Sequence, residues 1–157
     1  MARSKRRPPD PPPAGAAGQT AGLFVAFLVA SFVVYWPALT GPFVSDDSIY
    51  LNLNPWVQEA SVENVVGFFH PTSSNNLVTA NYSPVHLLGH MAQWAVFGEN
   101  TLGYHVTSLV LHALVGALFA LLLARSGAPP VAAAGGAAIF LFHPASGEVA
   151  CWISQLK

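Results

Sequence analysis

Three apolar stretches, divided by one long polar-aromatic segment, organise this chain. The first occupies segment 20–40, where Gly22 to Leu39 is almost wholly apolar. About 20 such residues cross a bilayer as a helix. The run exceeds the ~7–15 residues of a signal-peptide core, and no clean small-x-small site follows. Tyr35-Trp36 near its end suits an interfacial anchor. The second stretch, Leu102 to Ala124 in segment 101–125, is the clearest span. The third, Val131 to Phe142 in segment 129–143, is short and rich in Ala and Gly. Its pairs Ala132/Gly136 and Ala133/Ala137 have the small-xxx-small spacing that lets membrane helices approach closely. Residues 1–19 carry no apolar period and are rich in Pro, Ala and Gly, which predicts a disordered basic tail.

The segment 41–100 is too long for a simple connection and is expected to carry function. Ser61 to Phe69 has helical spacing in Val62, Val65, Val66 and Phe69. Ser61 stands as its N-cap, with Asn64 in place of a capping-box Glu. Asn75-Asn76 reads as a break. Pro84 to Phe97 predicts a second short helix with Pro at its first turn. Its stripe of Leu87, Leu88, Met91, Trp94 and Ala95 suits a membrane interface.

Composition agrees with a membrane chain. Hydrophobic residues make up 53% and charged ones 8%, against about a quarter charged in soluble domains. The single cysteine, Cys151, excludes an internal disulfide. Charge distribution sets the orientation. Arg3, Lys5, Arg6 and Arg7 precede the first span, and Arg125 ends the second. Between Gly41 and Asn100 there is no Lys or Arg, only Asp46, Asp47, Glu59, Glu63 and Glu99. By the positive-inside rule the N-terminus and Arg125 are cytosolic and the 41–100 loop is extracytoplasmic. The third stretch then returns the chain outward, and 144–157 opens a further extracytoplasmic loop. The expected fold class is thus an all-α membrane protein of about three transmembrane helices, with short interfacial helices on the long loop. The Ala/Gly/Pro bias suggests a bacterial inner membrane. The basic residues lie in a Pro-rich tail without interleaved aromatics, which argues against nucleic acid. The chain stops in mid-pattern and is expected to be the N-terminal piece of a longer protein.

Candidate chemistry clusters beyond the spans. Asp46 and Asp47 follow the first span closely, where a lipid-phosphate donor would present its scissile bond. On an extended backbone adjacent carboxylates point apart. One can deprotonate an acceptor hydroxyl, or hold Mg²⁺ or Mn²⁺ against a phosphate. The alternative is a solvated Ser-Asp-Asp-Ser turn. His143 and Glu148 leave the third stretch on the same side, or form a helix-end turn. His86 and His90 stand i, i+4 on a helix, a metal-ligand spacing, although Leu87 replaces the Glu of the zinc-protease pattern. Contact with a phosphate or headgroup is the other use of these histidines. His105, Ser108 and His112 share one face of the second span, which suits hydrogen bonding between helices. Asn81-Tyr82-Ser83 matches an N-glycosylation pattern but precedes Pro84. There is no phosphate-cradling glycine loop, dinucleotide fingerprint, CxxC or nucleophile elbow.

Four blocks in order resemble a known family. They are Phe43-Val44-Ser45-Asp46-Asp47 with Ile49 and Asn54-Pro55; Tyr82-Ser83-Pro84-Val85; Phe97-Gly98 through Gly103-Tyr104-His105 to Leu111-His112-Ala113; and His143-Pro144 with Glu148, Trp152, Ile153 and Ser154. Together they resemble GT-C fold glycosyltransferases, notably bacterial relatives of the tetratricopeptide-linked O-mannosyltransferases. The family often has Arg where Ser83 stands, and Gly-Arg-Lys where Gln155-Leu156-Lys157 stands. The resemblance implies transfer of a sugar from a polyprenyl-phosphate carrier to an extracytoplasmic protein or glycan acceptor. It implies catalytic Asp46 or Asp47, which would also hold any divalent cation. His143, Glu148, His86 and Tyr82 would line the substrate cavity. A non-catalytic membrane scaffold or transporter subunit is the alternative.

Overall fold

The computed structural model describes residues 16–155. Most of the predicted basic tail, residues 1–15, lies outside the described residues; Ala16 to Gln19 begin the first helix. Every regular element among the described residues is helical. α1 spans Ala16–Tyr35, α2 Pro55–Gln58, α3 Val62–Phe68, α4 Ser74–Val78, α5 Pro84–Phe97, α6 Thr101–Arg125, α7 Pro130–Phe142 and α8 Gly147–Cys151. Single 3-10 turns follow α1, α7 and α8, and a π-turn covers Ser48–Asn52.

Two helices are long and apolar enough to cross a membrane, Gly18–Ala38 and Thr101–Arg125. At 1.5 Å per residue they reach about 31 and about 37 Å, enough for a ~30 Å hydrocarbon layer. The third predicted span is shorter. α7 has 13 residues, about 20 Å, because Pro130 opens it and Pro144 stops it. It lies along α6 through small residues. Ala137 and Leu141 pack with Ala113, Ala117 and Ala120, and Ala133 is buried as well. Gly116 makes this approach feasible, since a Cβ there would overlap the Leu141 side chain. Between lipid-embedded helices such packing, rather than water exclusion, supplies the attraction.

The end of α7 ties three helices together. Pro144 has no N–H, so the Phe140 carbonyl lacks its helical donor; the Ser146 hydroxyl supplies one at 2.7 Å. The Leu141 carbonyl is also left without its donor, because the Ala145 N–H goes to His143 Nδ1. Tyr35 of α1 donates its hydroxyl to that carbonyl at 3.0 Å, and His112 of α6 donates Nε2–H at 2.9 Å. A carbonyl only accepts, so His112 carries its proton on Nε2. This meeting point lies about 16 Å along α6 from Thr101. The chain after α7 therefore continues alongside α6 rather than leaving at once into a loop. Ala150 of α8 packs between Leu39 and Leu109, and Ile153 joins the core of the 41–100 segment.

That segment is a small folded unit. Its core comprises Tyr50, Leu51, Val57, Phe68, Leu87 and Met91, closed by Tyr104 of α6 and Ile153. Burying each large side chain contributes about 2 kcal/mol. α5 has the predicted limits, but its stripe has a different role. Leu87 and Met91 are buried in this core, and Leu88 and Trp94 pack against it. The stripe faces the unit's own interior and not a membrane surface. Ser61 caps α3 as predicted, accepting the Asn64 N–H at 3.2 Å. Asn75 and Asn76 are not a break. Both are buried within α4. Asn76 Nδ2 caps the end of α3 by donating to the Phe68 and His70 carbonyls. Gly98, at φ +53°, turns the chain from α5 into α6.

The shared Leu141 carbonyl makes a specific prediction. Tyr35→Phe or His112→Ala alone leaves one donor in place and should cost about 1 kcal/mol. The double variant orphans the carbonyl and should lose more than the sum, by at least ~0.5 kcal/mol. Thermal unfolding in detergent measures the cycle, and simple additivity would show that the two donors do not share one acceptor.

Candidate functional site

The Asp46-Asp47 turn is built locally. Asp47 N–H donates to the Val44 carbonyl at 3.0 Å, and Val44 N–H donates to Asp47 Oδ2 at 2.9 Å. The reciprocal pair closes the turn and holds Ser45 at φ +49°, a left-handed conformation that costs a non-glycine residue on the order of 1 kcal/mol. The π-turn follows directly, with Leu53 N–H bonded to the Ser48 carbonyl at 2.8 Å.

The two carboxylates separate completely. Asp47 is fully buried. Its Oδ1 accepts the Ser154 N–H at 2.7 Å across 107 residues of sequence. With Val44 on Oδ2, both oxygens are engaged by backbone donors. Asp46 is exposed, with only the Ser45 hydroxyl donating to Oδ1 at 3.3 Å. The divergence comes from a tight turn and not from the extended backbone expected. This geometry does not fit a cation held by the pair, since one carboxylate is interior and bonded at both oxygens by backbone donors while the other faces outward. Among the described residues no group of three or more His, Cys, Asp or Glu side chains is placed to hold a metal ion.

The remaining candidates divide. His143 is exposed and caps the turn Pro144–Ser146 by accepting the Ala145 N–H at Nδ1. Glu148 is exposed in the first turn of α8, where its charge complements the helix N-terminus. Tyr82 donates its hydroxyl to the Phe69 carbonyl at the end of α3. His86 and His90 are buried and bonded to each other, Nε2 to Nε2, at 2.8 Å. His90 Nδ1 meets Gln93 Oε1 at 3.1 Å, and the Tyr50 ring lies 5.2 Å from that of His86. Gln93 Oε1 only accepts, so His90 carries its proton on Nδ1 and accepts at Nε2 from the His86 Nε2–H. The pair is a buried hydrogen-bonded unit, not an open metal site. His105 and His112 both bond across to other segments, at the Gly41 and Leu141 carbonyls.

Several residues that order the site stand in the resembling blocks but were given no role from sequence. Asn54 is fully buried. It caps α2 through Val57 N–H, donates to the Ile49 carbonyl at 3.0 Å and to Asn75 Oδ1 at 3.1 Å. Asn before Pro55 is a helix-start signal that could have revealed it. Val44 and Ser154 contribute only backbone N–H groups, which residue identity does not disclose.

No protein-family model, curated protein or solved structure matches the chain.

The histidine pair gives a pH prediction. Burial lowers His90 from 6.5 to about 4, partly offset by its bond to Gln93. The unfolded chain therefore binds more protons between those values, and stability falls as pH drops from 6.5 toward 4. The loss should be about 3 kcal/mol over that window. His90→Asn should flatten the curve relative to the parent chain. Equal slopes in unfolding midpoint against pH would exclude His90 as the source.

Proposed function

We propose that this chain is the N-terminal portion of an integral-membrane glycosyltransferase that moves a sugar from a polyprenyl-phosphate carrier to an extracytoplasmic acceptor. One observation carries the reading. Three of the four blocks that resemble GT-C transferases, far apart in sequence, are in direct contact through the first. Asp47 of the first accepts from Ser154 of the last at 2.7 Å. Phe43 of the first stacks edge-on against Tyr104 of the third, with centroids 5.5 Å apart. Gly41, just before the first block, accepts from His105 of the third at 3.3 Å.

In this reading the carboxylates divide the work. Asp47 is a positioning residue that fixes the turn from inside. Asp46 is the catalytic base. It takes the proton of the acceptor hydroxyl as that oxygen forms its bond to the anomeric carbon. The bond from that carbon to the phosphate oxygen breaks, and polyprenyl phosphate leaves with the electron pair. No step is assigned to a metal ion. The N-terminus is cytosolic, the 41–100 unit lies outside a bacterial inner membrane, and the donor lipid lies beside the spans. The return crossing combines α7 with the turns and α8 that follow it along α6.

Asp46→Asn in the full-length protein should leave expression and membrane insertion unchanged. It should lower sugar transfer from a polyprenyl-phosphate donor by about a hundredfold or more, the scale of a lost general base. Transfer at the parental rate would leave Asp46 as a solvated turn residue and not the base; no transfer by the parent protein itself would favour a non-catalytic scaffold or transporter subunit.

A further inference from the structure

The two buried histidines of α5 reach the turn that carries Asp46 through one residue, Tyr50. Its ring packs edge-on against His86, with centroids 5.2 Å apart, and tilts against His90 at 6.2 Å. Its backbone N–H donates to the Asp46 carbonyl at 3.0 Å. From this arrangement we propose that His90 is an acid-sensitive latch: its protonation parts the histidine pair, releases Tyr50 and loosens the π-turn Ser48–Asn52 that anchors Asp46. The inference stands on the 41–100 unit and not on glycosyl transfer.

The proton count makes His90 the sensor. Both of its nitrogens are engaged, Nδ1–H with Gln93 Oε1 and Nε2 with the His86 Nε2–H. A proton added at His86 Nδ1 leaves the bond between the rings intact. A proton added to His90 has only Nε2 to occupy, and there it meets the His86 Nε2–H at 2.8 Å. Both nitrogens of an imidazolium are donors, so no acceptor remains between the rings and they must part. His90 is fully buried. A charge there needs water or an anionic partner.

The neighbouring elements bring no such partner to His90, whose protonation is governed by burial and by Gln93. Tyr50 is the titratable group of the π-turn, and α2 has none. Glu63 of α3 is exposed. At the start of α6, Tyr104 and His105 bond to the Gly98 and Gly41 carbonyls. Burial holds His90 at about 4 against its ordinary 6.5. The latched form therefore binds fewer protons than the open form, and acid favours opening. Between pH 7 and 4.5 the open population should grow on the order of fiftyfold. Asn54 and Asn75 pin the start of α2 to α4 without a titratable group, which confines the opening to the π-turn.

Amide hydrogen exchange of the full chain in nanodiscs, corrected for the intrinsic effect of pH, tests the latch. Tyr50 and Leu53 donate the hydrogen bonds that define the turn. Between pH 7 and 4.5 both should lose protection by about tenfold or more, while Leu77 in α4 keeps its own. The ¹⁵N shifts of the His90 ring should show the Nδ1–H tautomer at pH 7 and titrate in the same step. In His90→Gln, which cannot take up a charge, the step should vanish. Unchanged protection of Tyr50 and Leu53 at pH 4.5, or an equal step in His90→Gln, overturns the latch. Equal loss at Leu77 overturns it in favour of unfolding of the whole 41–100 unit. Should His90→Gln fail to fold, the parent chain decides alone: coincident ring titration and exchange support the latch, and a ring that titrates without the exchange step overturns it. Sugar transfer enters none of these readouts, so failure of the transferase reading leaves the latch standing.

Discussion

A buried carboxylate with two backbone partners ties the turn after the first candidate span to the last described turn of the chain. An ionised Asp47 in the interior would cost several kcal/mol if left alone. Its two N–H donors, Val44 at 2.9 Å and Ser154 at 2.7 Å, make the site tolerable. They also make it demanding, because neither amide has an equivalent acceptor if the carboxylate is removed. The consequence is topological. Ser154 is drawn to the loop beyond the first span, so the chain after α7 must travel along α6 to reach it. Ile153 then fits the core beside Tyr50 and Tyr104, and Ala150 fits beside Leu39 and Leu109.

The Leu141 carbonyl completes the frame from within the helix bundle. Proline at position 144 ends α7 early and frees the carbonyls of its last turn. Tyr35 and His112 answer from α1 and α6. The short α7 and the polar residues on the second span are thus one feature. The span carries His112 because the neighbouring helix stops at its level. Between these two fixed points lies a turn whose outer carboxylate, Asp46, remains open to solvent.

Much of the architecture was legible where apolar period and capping coincide. Gly22–Leu39 and Leu102–Ala124 announced the long helices, and Pro84 through Phe97 gave the limits of α5. Helical reading of Ser61 to Phe69 succeeded because Ser61 is a side-chain cap. The face of α5 was not legible, since an apolar stripe has the same spacing against lipid as against a protein core. Asn75 and Asn76 misled for a related reason. Asn is usually a breaker, but here the Asn76 amide serves backbone carbonyls of α3 and Asn75 accepts from the Asn54 side chain, both in the interior. The adjacent aspartates were visible as a pair, whereas their division into buried and exposed members depends on Ser154, 107 residues away. No local pattern encodes that contact, because the donor is a backbone amide.

Amide hydrogen exchange at Ser154 tests the clamp most directly, compared between the parent chain and Asp47→Ala. Removal of the carboxylate should speed exchange at both Ser154 and Val44 by about tenfold or more, the equivalent of one lost hydrogen bond to a charged group. Amides in the middle of α6, such as Leu109, should keep their protection. If Ser154 exchanges at the same rate in both proteins, Asp47 does not tie the first turn to the last, and the reading of Asp46 as the outward member of a clamped pair fails with it.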